Sequence, residues 1–159
     1  MTETLIIACE MSSYEENAFP ISISWSLADG CIKTSLIRPE EEWLEQADYL
    51  AIDPDQLLQE GHSPKAILEE LQEDRGNEPL YCADLEQTQQ ALDQLYDSLD
   101  GYNDLPLQSL MSLLEGIPAE ELEACREECL SLLDFDPYSA ESQVRLWQAI
   151  YARLADDAD

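Results

Sequence analysis

A carboxylate follows the first apolar stretch of the chain, where it could take part in metal chemistry. Residues 4 to 9 are predicted to form a buried strand, and Glu10 comes directly after them in the sequence LIIACEMSS. Such a side chain lies at the rim of a sheet, and carboxylate oxygens are the ligands that Mg²⁺ and Mn²⁺ prefer. Glu10 is therefore either part of a metal site or a strand-end carboxylate held by solvent or a hydrogen bond. The residue two positions earlier, Ala8, bears on the choice.

The cysteines and the histidine offer little further chemistry. Cys125 and Cys129 are four residues apart on a predicted helix and could share a metal, but no histidine lies near them in the sequence. Small buried hydrophobic residues are the simpler interpretation. His62, the only histidine, lies in the turn EGHSP, where a surface position is expected. An odd number of cysteines without a CxxC pair is typical of a reducing compartment.

The composition predicts a strongly acidic surface. The chain has 36 acidic and 7 basic residues, with a formal net charge of -29 at pH 7. Since nucleic-acid affinity comes mostly from Lys and Arg neutralising phosphates, tight binding of free nucleic acid is not expected. The charge favours a basic protein partner, bound cations or a high-salt habitat. We take Glu40, Glu41 and Glu42 as the candidate partner-binding cluster.

Length and hydropathy predict a single domain without a membrane-spanning segment. The 159 residues contain no linker or repeat, so we expect one domain at 1–155 and an acidic tail at 156–159. There is no apolar run of about 18 residues and no basic segment followed by an apolar one, so neither a membrane span nor a secretory signal is predicted. We therefore expect a cytoplasmic protein with no membrane partner.

Hydrophobic periodicity predicts strands first and helices later. Alternating apolar residues indicate strands at 20–28 and 31–38 after the first one, joined by a tight turn at Asp29 and Gly30. A short buried strand is predicted at 79–83. The stretch LPLQSLMSLLEG is ambiguous between a fifth strand entering a helix and a helix throughout. This order predicts an α/β protein with a mixed sheet.

Cap residues mark where the helices begin. We expect Pro39 to open an acidic helix, Ser63 with Pro64 to start another after Gly61, and Ser139 to cap the last helix. Asp84 with Gln87 forms a candidate capping box. The stretches PDQLLQE and PAEELEACREECLSLL are also predicted to be helical.

Taken in order, these segments resemble the DnaQ-like, or DEDD, family of 3′–5′ exonucleases, which has the ribonuclease H-like fold. LIIACEMSS is similar to the family's first strand with its Asp-x-Glu motif, and PISISWSLADG to its second strand and hairpin. AIDPDQLLQEGHSPKAILEEL is similar to the segment after the third strand. LYCADLEQTQQALDQLY and YSAESQVRLWQAIYARL resemble the second and third catalytic motifs. The resemblance implies a mixed sheet of about five strands, the first three antiparallel, crossed by the last helix through Trp147 and Tyr151.

The family's chemistry uses four carboxylates, which hold two divalent cations, and a general base. When the family's first motif is placed on this chain, its aspartate corresponds to Ala8 and its glutamate to Glu10, so only the second carboxylate is retained. The aspartate of the second motif falls on Thr88 or its neighbour Gln87.

In the third motif, the histidine position falls on Tyr138 and the final aspartate on Gln143. Some members of the family use tyrosine as the base, but they require an aspartate four residues later, where this chain has Ser142. A shifted alignment leaves four residual candidates: Asp84 or Glu86 at the second motif, and Glu141 or Asp136 at the third. The resemblance thus implies no intact catalytic site.

We therefore expect no cofactor and interpret the chain as a catalytically inactive homologue that acts as an acidic protein-binding module. Mimicry of nucleic acid, or inhibition of a basic nucleic-acid-binding partner, are forms of this role. The alternative is a divergent Mg²⁺- or Mn²⁺-dependent 3′–5′ exonuclease acting on single-stranded DNA or RNA. A third interpretation is an ordinary acidic protein of a salt-adapted organism, which the spread of acids over nearly every helix fits equally well. The resemblance also allows a homodimer.

Overall fold

The sheet of this computed structural model, which describes residues 4–12, 18–46, 53–136 and 139–157, is mixed and five-stranded. The strands are β1 (Leu5–Met11), β2 (Pro20–Ser26), β3 (Ile32–Leu36), β4 (Leu80–Cys82) and β5 (Leu107–Ser109). They lie in the order β3-β2-β1-β4-β5. The β1–β2 and β2–β3 pairs are antiparallel, whereas β1–β4 and β4–β5 are parallel. The predicted α/β fold with three initial antiparallel strands is confirmed.

The turn between β2 and β3 forms at the predicted residues. Gly30 has a φ of 90°, a left-handed conformation that costs glycine least. The Asp29 carboxylate accepts a 2.9 Å hydrogen bond from the Cys31 N–H, and the Leu27 N–H donates to the Cys31 carbonyl over 2.7 Å. This local chemistry fixes the register of the hairpin.

Six α-helices and one 3₁₀ helix are found in the described residues. The α-helices are α1 (Glu41–Gln46), α2 (Pro54–Glu60), α3 (Pro64–Arg75), α4 (Leu85–Asp97), α5 (Ala119–Leu132) and α6 (Ala140–Asp157). The 3₁₀ helix, Leu110–Leu114, follows β5 directly, so the ambiguous stretch is a strand that enters a helical turn. Within the described residues, no helix combines the length and apolar character needed to cross a bilayer.

The predicted caps are present. Ser63 Oγ accepts from the Ala66 N–H over 3.2 Å, and the Asp84 carboxylate accepts from the Gln87 N–H over 3.0 Å. Ser139 Oγ accepts from the Ser142 N–H over 3.2 Å. The acidic helix begins at Glu41 rather than at Pro39, and α6 continues to Asp157, past the predicted domain boundary at 155.

Each face of the sheet is covered by different helices. Leu5, Ile7 and Cys9 of β1 pack in one cluster with apolar residues of α3 and α4. Ile6, whose side chain points to the other face, packs with Val144 of α6.

Helix α6 joins the sheet to α5. Trp147 packs in the same cluster as Ile6 and also in a second cluster, which holds residues of α5. Tyr151, expected to cross the sheet, packs in that second cluster, one helical turn beyond the contact with β1. The expected packing of Trp147 on the sheet is observed.

Candidate functional site at the end of strand β1

The two residues of the first motif lie on the face of β1 that α6 covers. Side chains alternate along a strand, so Ile6, Ala8 and Glu10 point the same way. Ala8 is partly buried in the cluster formed by Ile6 and Val144. Opposite them on β2 are two serines, with Ala8 paired to Ser24 and Glu10 to Ser22. β1 therefore presents a methyl group and a carboxylate where the Asp-x-Glu motif would present two carboxylates.

Glu10 is half-buried and lies near a second carboxylate. Its pKa is raised to about 6, first by burial and then by the negative charge of Asp136. Asp136 is exposed in the segment before α6. Its N–H donates to Ser142 Oγ over 3.3 Å, and its carbonyl accepts from the Ser139 N–H over 3.1 Å. These bonds hold the segment against the start of α6 and bring Asp136 to the end of β1.

Thr88, at the position of the second-motif aspartate, does not lie on the same face of the sheet as Glu10. Thr88 is only 3% exposed, and its side chain hydrogen-bonds to Cys82, whose pKa is raised to about 11 chiefly by burial. Cys82 belongs to the cluster of α3 and α4, on the opposite face of the sheet from Ile6. Thr88 is therefore a core residue. Gln87 is partly exposed one position earlier, where its N–H donates to the cap Asp84.

Two of the residual carboxylates, Asp84 and Glu141, have structural partners. Asp84 caps α4, and Glu86 beside it is exposed. Glu141 Oε1 lies 3.0 Å from Arg145 Nη2, one turn along α6. Gln143 lies in the first turn of α6, where its N–H donates to the Ser139 carbonyl. Tyr138 lies outside the described residues.

These donors do not fit a two-metal site. Ala8 supplies no oxygen, and Thr88 lies on the wrong face. Across the described ranges, no three His, Cys, Asp or Glu side chains are grouped so that they could hold a metal ion. No step of hydrolysis through bound metal ions can be built from the residues that the structure describes.

The other candidate side chains are structural or exposed. Cys125 and Cys129 are buried between α5 and α6, and burial raises the pKa of the Cys125 thiol, which favours its protonated form. The His62 side chain is exposed, while its backbone forms a bridge with Ile37 beyond β3.

The acidic cluster at the start of α1 is accessible. Glu41 and Glu42 are exposed in the first turn, and the Glu40 carbonyl accepts from the Trp43 N–H over 3.0 Å. Trp43 stacks on Phe19, with ring centroids 5.9 Å apart, and anchors α1 to the body of the protein. Glu41 and Glu42 are thus exposed on a fixed helix, and Glu40, which is partly buried, precedes it.

The basic residues do not form a phosphate-binding surface of their own. At least four of the seven are within ion-pair distance of a carboxylate in the described part of the chain: Lys33, Arg126, Arg145 and Arg153. Each of these cations is partly neutralised by a neighbour of this same chain.

Sheet order and helix packing together define the ribonuclease H-like fold of DEDDh 3′–5′ exonucleases. The structure is similar to the nuclease domain of 3′hExo, a DEDDh family member bound to rAMP, with a TM-score of 0.65, 13% identity and coverage of 97% of this chain and 92% of that one. A full-length 3′-exonuclease gives a TM-score of 0.66 at 14% identity, over 98% of this chain and 82% of that one.

A third similar structure is Pop2p of S. pombe in a form that binds Mg²⁺ and Mn²⁺, with a TM-score of 0.56 and 11% identity over 95% of this chain and 82% of that one. No sequence family model matches this chain, and no curated protein sequence matches it significantly. The shared property is therefore the fold.

Proposed function

We propose that this protein is a catalytically inactive relative of the exonucleases whose fold it shares, and that it acts as an acidic module that binds a basic protein. The observation that carries the proposal is the pair Ala8 and Glu10. By the sequence resemblance, Ala8 falls on the position of a metal-binding aspartate, and Glu10 is then the motif's single carboxylate. In the structure Ala8 packs in an apolar cluster, which supports the proposal. The position of Thr88 on the opposite face supports the same conclusion.

The charge of the chain supports a protein partner rather than nucleic acid. A net charge of -29 repels phosphates, and several of the few cations already pair with carboxylates. Long-range attraction would instead steer a basic protein onto the surface and raise its association rate. The cluster of Glu40, Glu41 and Glu42, of which the last two are exposed, is our candidate for first contact. A nucleic-acid-binding protein is the natural partner, since its basic surface already accommodates polyanions.

A second candidate function is a divergent metal-dependent exonuclease. The proximity of Glu10 and Asp136 favours it, because two carboxylates at the end of β1 could share one hard cation. The Mg²⁺- and Mn²⁺-bound form of Pop2p and the rAMP complex of 3′hExo point to this chemistry in proteins of the same fold.

A nuclease assay separates the two candidates. Purified protein is incubated with 3′-labelled single-stranded DNA and RNA in millimolar Mn²⁺, beside a Glu10→Ala variant. We expect no release of nucleotides above background from either protein, since metal-activated water is the main source of rate in this chemistry. Progressive removal of 3′ nucleotides by the wild type, abolished in Glu10→Ala, would establish the exonuclease instead.

A binding assay tests the partner role. Association with an arginine-rich peptide should be fast at low salt and slow as the Debye length falls below about 10 Å near 0.1 M. Replacement of Glu40, Glu41 and Glu42 by lysine should slow this association. A matched control reverses Glu120, Glu121 and Glu127, three exposed acids of α5, which changes the net charge equally. Equal slowing by both triple variants would count against α1 as the contact and leave only a general charge effect.

A further inference from the structure

Two cysteine side chains lie together between helices α5 and α6. Cys125 and Cys129 are four residues apart on α5, so one helical turn places them on the same face. Both are free thiols, and Cys125 hydrogen-bonds to Cys129. They share a cluster with Ile150 and Leu154 of α6. The packing of these two helices therefore holds two sulfur atoms next to each other.

A cation lies beside the two sulfur atoms. Burial raises the pKa of Cys125, and the positive charge of Arg153 on α6 opposes this effect. The pKa of Arg153 is raised first by its hydrogen bond to Glu128 and then by the charge of Cys129. Arg153 Nη1 lies 3.0 Å from Glu128 Oε1, and both side chains are partly exposed. Since Cys125 is 9% exposed and Cys129 1%, the thiols lie just inside the surface, beside this ion pair.

The spacing on the helix suits a bridging ion better than a disulfide. Cβ atoms of residues four apart on a helix are separated by about 5–6 Å, whereas a disulfide holds them about 3.5–4.5 Å apart. A direct bond between the two sulfur atoms would therefore distort α5. An ion placed between them lengthens the bridge, so the helix can stay regular.

The donor set restricts which ion fits. Thiolate sulfur is a soft ligand that selects soft ions such as Cu⁺. A structural Zn²⁺ site takes four ligands, but among the described residues no three His, Cys, Asp or Glu side chains are grouped so that they could hold a metal. Two thiolates alone satisfy Cu⁺. The resulting complex carries one negative charge, which the guanidinium of Arg153 would neutralise.

We propose that Cys125 and Cys129 form a two-thiolate binding site for a soft monovalent cation of the Cu⁺ class, with Arg153 balancing the charge of the complex. Each thiol releases its proton to solvent as its sulfur binds the ion, and neither copper nor sulfur changes oxidation state. Without the ion, the two thiols are core side chains, in agreement with the raised pKa of Cys125. The inference goes beyond the proposed function and does not depend on it.

A titration with Cu⁺ tests the site. Reduced full-length protein is titrated under argon in competition with a chromogenic Cu⁺ chelator, and X-ray absorption counts the sulfur neighbours of the bound ion. We expect one ion per chain with two sulfur neighbours. Cys125→Ser and Cys129→Ser should each weaken binding more than about a hundredfold, because losing a ligand costs more than losing a group that supports one. The control Cys31→Ser, which alters the exposed cysteine, should bind as wild type does.

A pair of arginine variants tests the site with both thiols in place. Arg153→Gln should weaken Cu⁺ binding about tenfold, since it removes the charge that supports the two ligands. Arg145→Gln is the matched control, because it changes the net charge equally at a different ion pair of α6. Its affinity for Cu⁺ should equal that of wild type.

The site is overturned if wild-type protein binds no Cu⁺ in the competition, or if either serine variant keeps the wild-type affinity. A count other than two sulfur neighbours would also overturn it, which gives a decision even where a serine variant fails to fold. Equal affinities in Arg153→Gln and Arg145→Gln would overturn the contribution of Arg153. None of these results bears on the acidic module, whose test is the peptide association described above.

Discussion

The carboxylate of Asp74 on α3 accepts a 2.9 Å hydrogen bond from Nε1 of Trp25 on β2. The same oxygen lies 2.8 Å from Nζ of Lys33 on β3, and Glu70 lies 2.6 Å from that Nζ. The two carboxylates raise the pKa of Lys33. Since Trp25 is only 2% exposed, Asp74 satisfies a polar group at the margin of the core and fastens α3 across two strands.

Removing that carboxylate should destabilise the fold. Asp74→Ala leaves the indole N–H without its partner and should lower the free energy of unfolding by about 2 kcal/mol. The control Glu70→Ala removes only an exposed partner of Lys33 and should cost less than about 1 kcal/mol. Urea denaturation measures the loss of unfolding free energy in both variants, provided that their m-values equal that of wild type. Equal losses in the two variants would show that the bond to Trp25 contributes nothing.

Close packing around Gly61 predicts a second sensitive position. A Cβ there would lie 2.4 Å from the Leu57 carbonyl oxygen and 2.6 Å from the Arg38 nitrogen, both backbone atoms. Gly61→Ala should therefore push α2 away from the end of β3, with a loss of about 1 to 3 kcal/mol. Gly101→Ala is the matched control, because its nearest atoms are 3.6 Å away. A comparison of thermal unfolding between Gly61→Ala and Gly101→Ala distinguishes local crowding from a general effect of replacing glycine.

Glu10 predicts a pH dependence of stability. Its pKa of about 6 in the folded protein is above the ordinary value of 4.5, so the folded state binds more protons between these two values. The free energy of unfolding should fall as the pH rises through this window. Glu10→Gln should be more stable than wild type at pH 7 by about 1 kcal/mol after allowance for solvent screening, and no more stable below pH 4.5.

The charge of Asp136 and the burial of Glu10 are the two causes of this dependence, so Asp136→Asn should reduce it in part. The control is Glu86→Gln, which changes an exposed residue of α4. Its free energy of unfolding should depend on pH as that of wild type does. A constant difference between Glu10→Gln and wild type across the pH range would mean that titration of Glu10 is not responsible.

Divalent cations should stabilise the protein little. A ligand at a hundred times its dissociation constant adds about 2.7 kcal/mol to the free energy of unfolding. Because Ala8, Thr88 and Gln143 offer no carboxylates, millimolar Mg²⁺ or Mn²⁺ should leave the melting temperature nearly unchanged. A rise of several degrees in wild type that is absent in Glu10→Ala would reveal a cation site at the end of β1.

Local chemistry made much of the fold predictable. The alternation in β2, the turn at Asp29 and Gly30, and the caps Asp84 and Ser139 each depend on residues within a few positions of one another. The stretch around Leu107 and Leu110 could not be assigned in this way. Its strand exists because β5 pairs with β4, a partner more than twenty residues away.

The sequence by itself determined which donors are present: Ala8 and Gln143 cannot bind a metal as carboxylates in any arrangement, and only 7 basic residues stand against 36 acidic ones. Only the tertiary structure decided which of the 36 acidic side chains meet. Asp136 lies near Glu10, Asp74 meets Trp25 from 49 positions away, and Thr88 faces the opposite side of the sheet from Glu10. The physical reason is that side-chain identity fixes what a residue can bind, whereas strand register and helix packing fix which distant residues come into contact.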